Sequence, residues 1–566
     1  MSSVNFVGSE FPINTITTGS QSTSLLTADA FSTRAIAVDG SGGFVVVWTG
    51  PDGDGTGIYA RRFDSAGVAQ SVFDAASNAL TTNDARINTT VPNIQRLASV
   101  AADADGNFIV VWESIQDPMT GGSGVYAQRF DKDGNRIGGE TQIHTNVLGD
   151  QTEVSVAMSP TGEFVVTWTS DVGDGSGTGV FVRRFNSAGV AQPIAPPTGP
   201  AITDDVQVNT ATDFDQRFSN VAIAPDGSFV VTWSSVGQDG SGYGVYAQKF
   251  SSTGARVGTA ISVNSTTANN QQNSHVAIDS SGNFVITWSS ENQDGSGWGV
   301  YARLFDSSGN PLTGEISVNQ FTAGEQRYST VAMDSDGNFV VTWQSFSQPS
   351  ETNLTTGIVA RRFSRTGAPL GNEFLVNTTT TGDQRFPAVG VAPSGNFVIA
   401  WTGPDANGTG VFGQRFSPPT STAPTDILLT PASFPENSPL DTVIGNLSAI
   451  DPDGDTVTNF QLVDSVSFPD NNSFEIQTGA GGPILVLRAA ADFETKNSYT
   501  IKIRATDPNN LIYERELVVT VINVNEAPTA INLDPQSVNE NSPVGTAIGT
   551  FTTIDPDFVD THTYTL

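Results

Sequence analysis

Carboxylates are the side chains in this chain whose spacing could do chemistry. Toward the C-terminus they fall in short runs: Pro435-Glu436-Asn437-Ser438, Asp451-Pro452-Asp453-Gly454-Asp455, Asp492-Phe493-Glu494, Ala505-Thr506-Asp507 and Asn523-Val524-Asn525-Glu526-Ala527-Pro528, then Asp555 and Asp557 in Ile554-Asp555-Pro556-Asp557. A second group sits in glycine-rich loops: Asp52 and Asp54 in PDGDGTG, Asp174 in GDGSGTG, Asp239 in QDGSGYG, Asp294 in QDGSGWG and Asp405 in PDANGTG. Hard divalent cations favour such oxygen-rich turns. Asp-Gly is also the commonest hairpin turn signal, so these loops read either as plain turns or as calcium loops.

The composition removes most other chemistry. With 25 Lys+Arg against 58 Asp+Glu the formal charge is −33, which repels nucleic-acid phosphates and anionic lipid and attracts divalent cations. No cysteine is present, which excludes disulfides, thiolate zinc sites and a cysteine nucleophile. The three histidines are His144, His275 and His562, and none of the four lysines follows a glycine, so there is no phosphate-cradling G-K-[ST] loop. The longest apolar runs, such as Phe44 to Trp48, fall far short of the roughly 18 residues of a membrane span. The first residues lack the basic and apolar regions of a secretory signal.

The elements that position these residues are repeats. Runs like GNFVITW end at Trp48, Trp112, Trp168, Trp233, Trp288, Trp343 and Trp401, seven copies spaced 64, 56, 65, 55, 55 and 58 residues apart; Trp298 reads as a loop residue. Each copy carries four β signals and no helical periodicity, as in SNVAIA, SFVVTWSS, YGVYAQKF and TAISVN. Both faces of the middle strands are apolar, as a sheet packed between two neighbours requires. The expectation for residues 1–417 is a seven-bladed β-propeller. Residues 8–21, GSEFPINTITTGSQ, resemble residues 371–384, GNEFLVNTTTTGDQ, so the N-terminal segment is expected to supply the strand missing after Gly410 to Phe416 and to close the ring. Two repeated polar positions read as structural. Arg61, Gln128, Arg183, Gln248, Arg303, Arg361 and Gln414 are expected to bond across sheet interfaces, and Asn-Gln pairs seven apart, such as Asn88 with Gln95 and Asn209 with Gln216, to lock loops.

Residues 418–424 form a Pro/Ser/Thr linker, and residues 425–526 alternate as strands of a β-sandwich, so the whole chain is expected to be all-β. The carboxylate runs of this region, in their order, resemble the cadherin repeat family. That resemblance implies calcium held at the junction with a second module, residues 527–566, by Glu436, Asp492, Glu494, Asn523, the Asn525 carbonyl and Glu526, with Asp555 and Asp557 from the second module. It implies that Asp451, Asp453 and Asp507 face the preceding linker. The chain departs from the family at Asn523, Glu526 and Ala527, where the family has Asp, Asp and Asn, and fewer charged oxygens imply affinity in the ~10⁻⁴ to 10⁻³ M range of extracellular modules. The second module ends in mid-pattern at Leu566, which reads as a fragment whose export signal lies C-terminal.

Two functions follow as expectations. The first is a calcium-binding extracellular or cell-surface adhesion protein, its Ca2+ stiffening cadherin-like modules and its propeller a platform for other surface proteins, glycans or a second copy, with no nucleic-acid partner and no membrane insertion. The alternative is a carbohydrate-active propeller, either a glycosidase or lyase or a lectin in which Tyr243 and Trp298 stack on sugars. No carboxylate pair departs from the repeats as a catalytic pair should, and His144 and His275 read as local variation, so no enzyme is expected.

Overall fold

Alternation in each repeat puts one apolar set on each side of a strand, and both sets are buried. In Phe229–Val236 the side chains of Phe229, Val231 and Trp233 and those of Val230 and Thr232 are all excluded from solvent. The computed structural model describes every residue except 1–3, 25–33, 116–121, 173, 347–355, 420–421, 452–455, 480, 508–510 and 558. It divides into two units, Ser2–Pro418 and Pro419–Leu566.

Ser2–Pro418 is a propeller. The first strands of its repeats, Ile36–Val38, Asn93–Ala102, Gln151–Met158, Gln216–Ile223, Gln271–Ile278, Gln326–Met333 and Arg385–Val391, touch one another in that order, and the last returns to the first. Each begins an antiparallel sheet, and the first two sheets are also joined by parallel pairing of Gly55 with Asn93 and Thr56 with Ile94. The N-terminal strand Asn5–Pro12 pairs with Gly408–Ser417, from Asn5 opposite Ser417 to Pro12 opposite Phe412. Trp298 corrects the loop reading: it opens the strand Trp298–Phe305 opposite Glu291, as Tyr243 opens Tyr243–Phe250 opposite Val236, because the hairpins extend further than the apolar run.

Packing repeats with the sequence. All seven repeat tryptophans are at most 1% exposed. In every sheet the Phe that opens the Trp strand stacks on the Phe that ends the next, with centroids from 4.6 Å in Phe108–Phe130 to 5.1 Å in Phe339–Phe363. The Asn-Gln pairs do lock loops: Asn88 Nδ2 donates to Gln95 Oε1 at 3.2 Å and to the Thr90 carbonyl at 2.8 Å, while its Oδ1 accepts from Ile58 N–H. The arginines reach across interfaces, Arg303 to the Val263 carbonyl at 2.9 Å and Arg361 to that of Val318 at 3.0 Å. Gln128 and Gln248 do not cross; they bond within their own sheets, and beside Gln248 it is Arg256 that reaches the Gln207 and Val208 carbonyls.

A further joint was not read from the sequence. A carboxylate four residues before each loop Asn or His accepts backbone N–H groups from the loop of the preceding sheet. Glu10 holds Thr378 and Thr379, Asp84 holds Thr15 and Ile16, Glu140 holds Thr89, Asp205 holds Thr145 and Asn146, Glu315 holds Ser265 and Thr266, and Glu373 holds Gln320 and Phe321. Ala260 occupies this position in the remaining sheet.

In Pro419–Leu566 two four-stranded sheets face each other. One runs Asp426–Thr430, Val443–Ile450, Gly482–Leu487, Phe474–Gly479, and the other Ser433–Pro435, Ile512–Ile522, Ser498–Thr506, Asn459–Leu462. Tyr499, Ile501, Ile503 and Ala505 alternate into a core with Leu447, Phe474 and Leu485. Beyond it Ala530–Asp534 pairs with Thr550–Ile554. Among the described residues no helix is long and apolar enough to cross a membrane.

Two substitutions test this packing. Trp288→Ala should lower the propeller's unfolding free energy by about 3–5 kcal/mol, measured by denaturant titration. Ala260→Glu supplies the absent carboxylate to the N–H groups of Thr210 and Ala211 and should raise it by about 1 kcal/mol; unchanged or lower stability would show that the joint contributes nothing there.

Candidate metal centre

The strand Ser433–Pro435 delivers Glu436 to one end of the sandwich, and the hairpin of Ser498–Thr506 with Ile512–Ile522 delivers Glu494 and Asn523 to the same end. Glu436 is 3% exposed. Its two oxygens accept from Phe493 N–H at 2.7 Å and Val524 N–H at 2.8 Å, which fixes the carboxylate between the two segments. One oxygen from each of Glu436, Glu494 and Glu526 lies within 4.8 Å of the others. Ligands on opposite sides of a Ca2+ ion stand about 4.6–5.2 Å apart, so the spacing suits a hard divalent cation.

The second module closes over this cluster with Asp557, which is buried. Its carboxylate accepts from Asn523 Nδ2 at 3.0 Å and from Glu526 N–H at 2.6 Å. Asn523 Nδ2 also donates to Glu494 Oε1 at 2.9 Å, leaving Glu494 Oε2 buried and without a partner. Desolvation pushes the Glu494 carboxyl up, and the neighbouring charges of Glu436, Asp557 and Asp492 add to the shift. A buried, unpartnered carboxylate oxygen among like charges is costly unless a cation takes it. The candidate ligand atoms here are carboxylate oxygens, the kind that hard cations take and soft metals do not.

Not every residue of the expected set converges. Asp492 is exposed and turns back on its own loop, accepting from Thr495 Oγ1 at 2.7 Å and Glu494 N–H at 3.1 Å; the Thr495 hydroxyl, with these backbone bonds, holds its carboxyl below the usual range. Asn525 donates its side-chain amide to the Glu526 carbonyl. Asp555 accepts from His562 Nε2 at 2.6 Å and groups with Asp557 and Asp560. Asp451 and Asp507 lie at the opposite end of the sandwich, since Asp451 follows Ile450 and Asp507 follows Thr506, the far ends of strands whose other ends approach Glu436 and Asn523. Asp507 is buried and accepts from Leu511 N–H. Asp453 lies outside the described residues.

Sequence reasoning missed Asn437, which donates to Glu526 Oε1 at 2.6 Å, although its place beside Glu436 was a signal. It also missed Asp560. In the propeller, Asp174, Asp239 and Asp294 each accept from the loop Asn of their own sheet, at 3.3, 3.4 and 3.1 Å. Among the described residues these loops gather no group of three ligands. Two carboxylates do depart from the repeats: Glu113 pairs with Arg96 at 2.6 Å and Glu153 with Arg217 at 2.6 Å, both acids being buried.

Human Cadherin-12 is 31% identical over 138 residues, which is 22% of this chain and 17% of the relative. Protocadherin gamma-C5 of Pan troglodytes is 35% identical over 133 residues, 22% of this chain and 14% of the relative, so the chain spans under a fifth of the curated relatives it matches. Solved structures similar to the chain include the polysaccharide lyase Uly1, at TM-score 0.43 and 8% identity over 73% of this chain and all of that one. An α-L-arabinanase of Penicillium chrysogenum gives 0.37 and 13% over 56% of this chain and 92% of that one. Scores this low carry no inference about the chain. The family model described as Cadherin domain matches residues 430–522, which takes in the two facing sheets from the end of their first strand onward, and assigns that module to the cadherin domain family.

Proposed function

We propose that this is a calcium-binding protein of the cell surface or extracellular space, acting in adhesion or surface interaction. Ca2+ is held where the cadherin domain meets the following module, by Glu436, Glu494, Glu526 and Asp557. The bound ion supplies charge neutralisation. The chain's own residues do the rest: Asn523 and Glu526 N–H already tie Asp557 of the second module to the first, so neutralising the cluster stiffens that joint. The observation that carries the reading is the buried, unpartnered Glu494 oxygen within a cluster of three carboxylates. The extracellular setting follows from the family, and extracellular calcium is abundant enough to fill a weak site.

The propeller serves in this reading as a binding platform, for other surface proteins, glycans or a second copy of the chain. A catalytic role is less well supported. Glu153, one of the two acids that depart from the repeats, has both oxygens engaged by Arg217, Phe218 N–H and Thr169 Oγ1, whereas a glycosidase nucleophile or base must reach its substrate.

Thermal unfolding tests the calcium claim. For affinity of ~10⁻⁴ to 10⁻³ M, 10 mM Ca2+ over EDTA contributes about 1.4–2.7 kcal/mol, a rise of about 3–10 °C in the transition of the C-terminal unit. Glu494→Gln and Glu436→Gln should abolish the rise, and Mg2+ should not reproduce it. An unchanged transition across that range, or an equal rise in both variants, would remove the site.

A further inference from the structure

Among the described residues, the centre of the propeller holds a positive charge that no acid balances. Ser99, Ser155, Asn220, His275 and Thr330 occupy one repeat position on the first strands, two residues past a bulge, and form a belt around the ring. Ser99 Oγ accepts from Val156 N–H of the next sheet, Asn220 Nδ2 donates to Ser155 Oγ, and Asn220 Oδ1 accepts from Val276 N–H, at 3.2 Å in each case. Arg34 stands beside Ala35 on the first sheet and reaches across the ring to sheets far along the chain. Its Nη2 donates to Asn220 Oδ1 at 3.2 Å, to the Val221 carbonyl at 3.0 Å and to the Val276 carbonyl at 2.7 Å. All three acceptors are neutral. Arg34 Nε is buried and has no partner.

His275, the residue before Val276, is 2% exposed. Its Nδ1 accepts from Val331 N–H at 3.4 Å, so the ring proton belongs on Nε2, and Nε2 is buried without a partner. Both orphaned atoms are therefore donors, and Arg34 bonds the carbonyl of the residue that follows His275. Burial lowers the Arg34 guanidinium to about 10, which leaves it charged at neutral pH, and burial with the Arg34 charge keeps His275 neutral. A water molecule can accept from two donors, but it cannot offset a buried charge.

We propose that the middle of the propeller binds one small anion, chloride in the first instance, between Arg34 Nε and His275 Nε2. One net charge and two free donors suit a monovalent ion and leave a divalent oxyanion under-satisfied. The ion would join the first sheet to the fifth through the side chains of Arg34 and His275, a link across the ring that the strand pairing does not supply.

The test uses the full chain. Chloride-35 NMR linewidths are measured in NaCl titrated into sodium gluconate at constant ionic strength, and melting is followed in the same series. The expected result is saturable excess broadening and a rise of about 1–3 °C in the propeller transition, with both lost in Arg34→Gln and in His275→Phe. Arg34→Gln also gives up neutral hydrogen bonds; should it fail to fold by circular dichroism, His275→Phe carries the test, because it removes the Nε2 donor and leaves Arg34 in place. No saturable broadening in the wild type, or equal broadening in a folded variant, would mean that water alone fills the centre and would overturn the proposal.

Discussion

Each propeller sheet is apolar on both faces, and this constraint governs the rest of the structure. A sheet with two apolar faces needs a neighbour on each side, and a row of such sheets satisfies its ends only by closing. Closure explains why Asn5–Pro12 pairs with Gly408–Ser417 and not with the strand that follows it in sequence. It also explains the carboxylate joints: Glu10 and Asp84 make across the closing sheet the same bonds that Glu315 and Glu373 make elsewhere. These acids are part of the −33 charge and are spent on backbone N–H groups, so the acidity of the chain is in part a structural device.

Much of this was legible in the sequence because repetition amplifies weak signals. One GNFVITW run says little, whereas seven with matching turns specify strand order and the face of each residue. The similarity of residues 8–21 to 371–384 located the closing strand. Trp298 was misread because the apolar pattern stops before the backbone pairing does. The carboxylate joints went unseen because a surface Glu or Asp before a strand looks like any solvated charge, and its partners lie in another repeat.

The candidate metal centre divides along similar lines. Glu436, Glu494, Glu526 and Asp557 converge from segments far apart in the chain, and the ordered motifs that resemble the cadherin family brought them together on paper. Within those motifs the departures mattered. Asn523 places an amide where the family has a carboxylate, and that amide bridges Glu494 and Asp557. Asp492 serves its own loop because Thr495 and the Glu494 N–H offer it nearer partners than the cluster does. Spacing alone cannot rank such local competitors. Arg34 and His275 show the reverse case: His275 reads in sequence only as local variation and Arg34 is unmarked, and it is the ring that brings Arg34 to the strand of His275.

The account rests most heavily on one cluster of carboxylates taking a divalent cation. Calorimetric titration of Ca2+ into the metal-free full chain, beside Glu494→Gln, tests it most directly. The account predicts a saturable heat with a dissociation constant of ~10⁻⁴ to 10⁻³ M that disappears in the variant. A flat titration to 10 mM, or the same isotherm in both proteins, would contradict it.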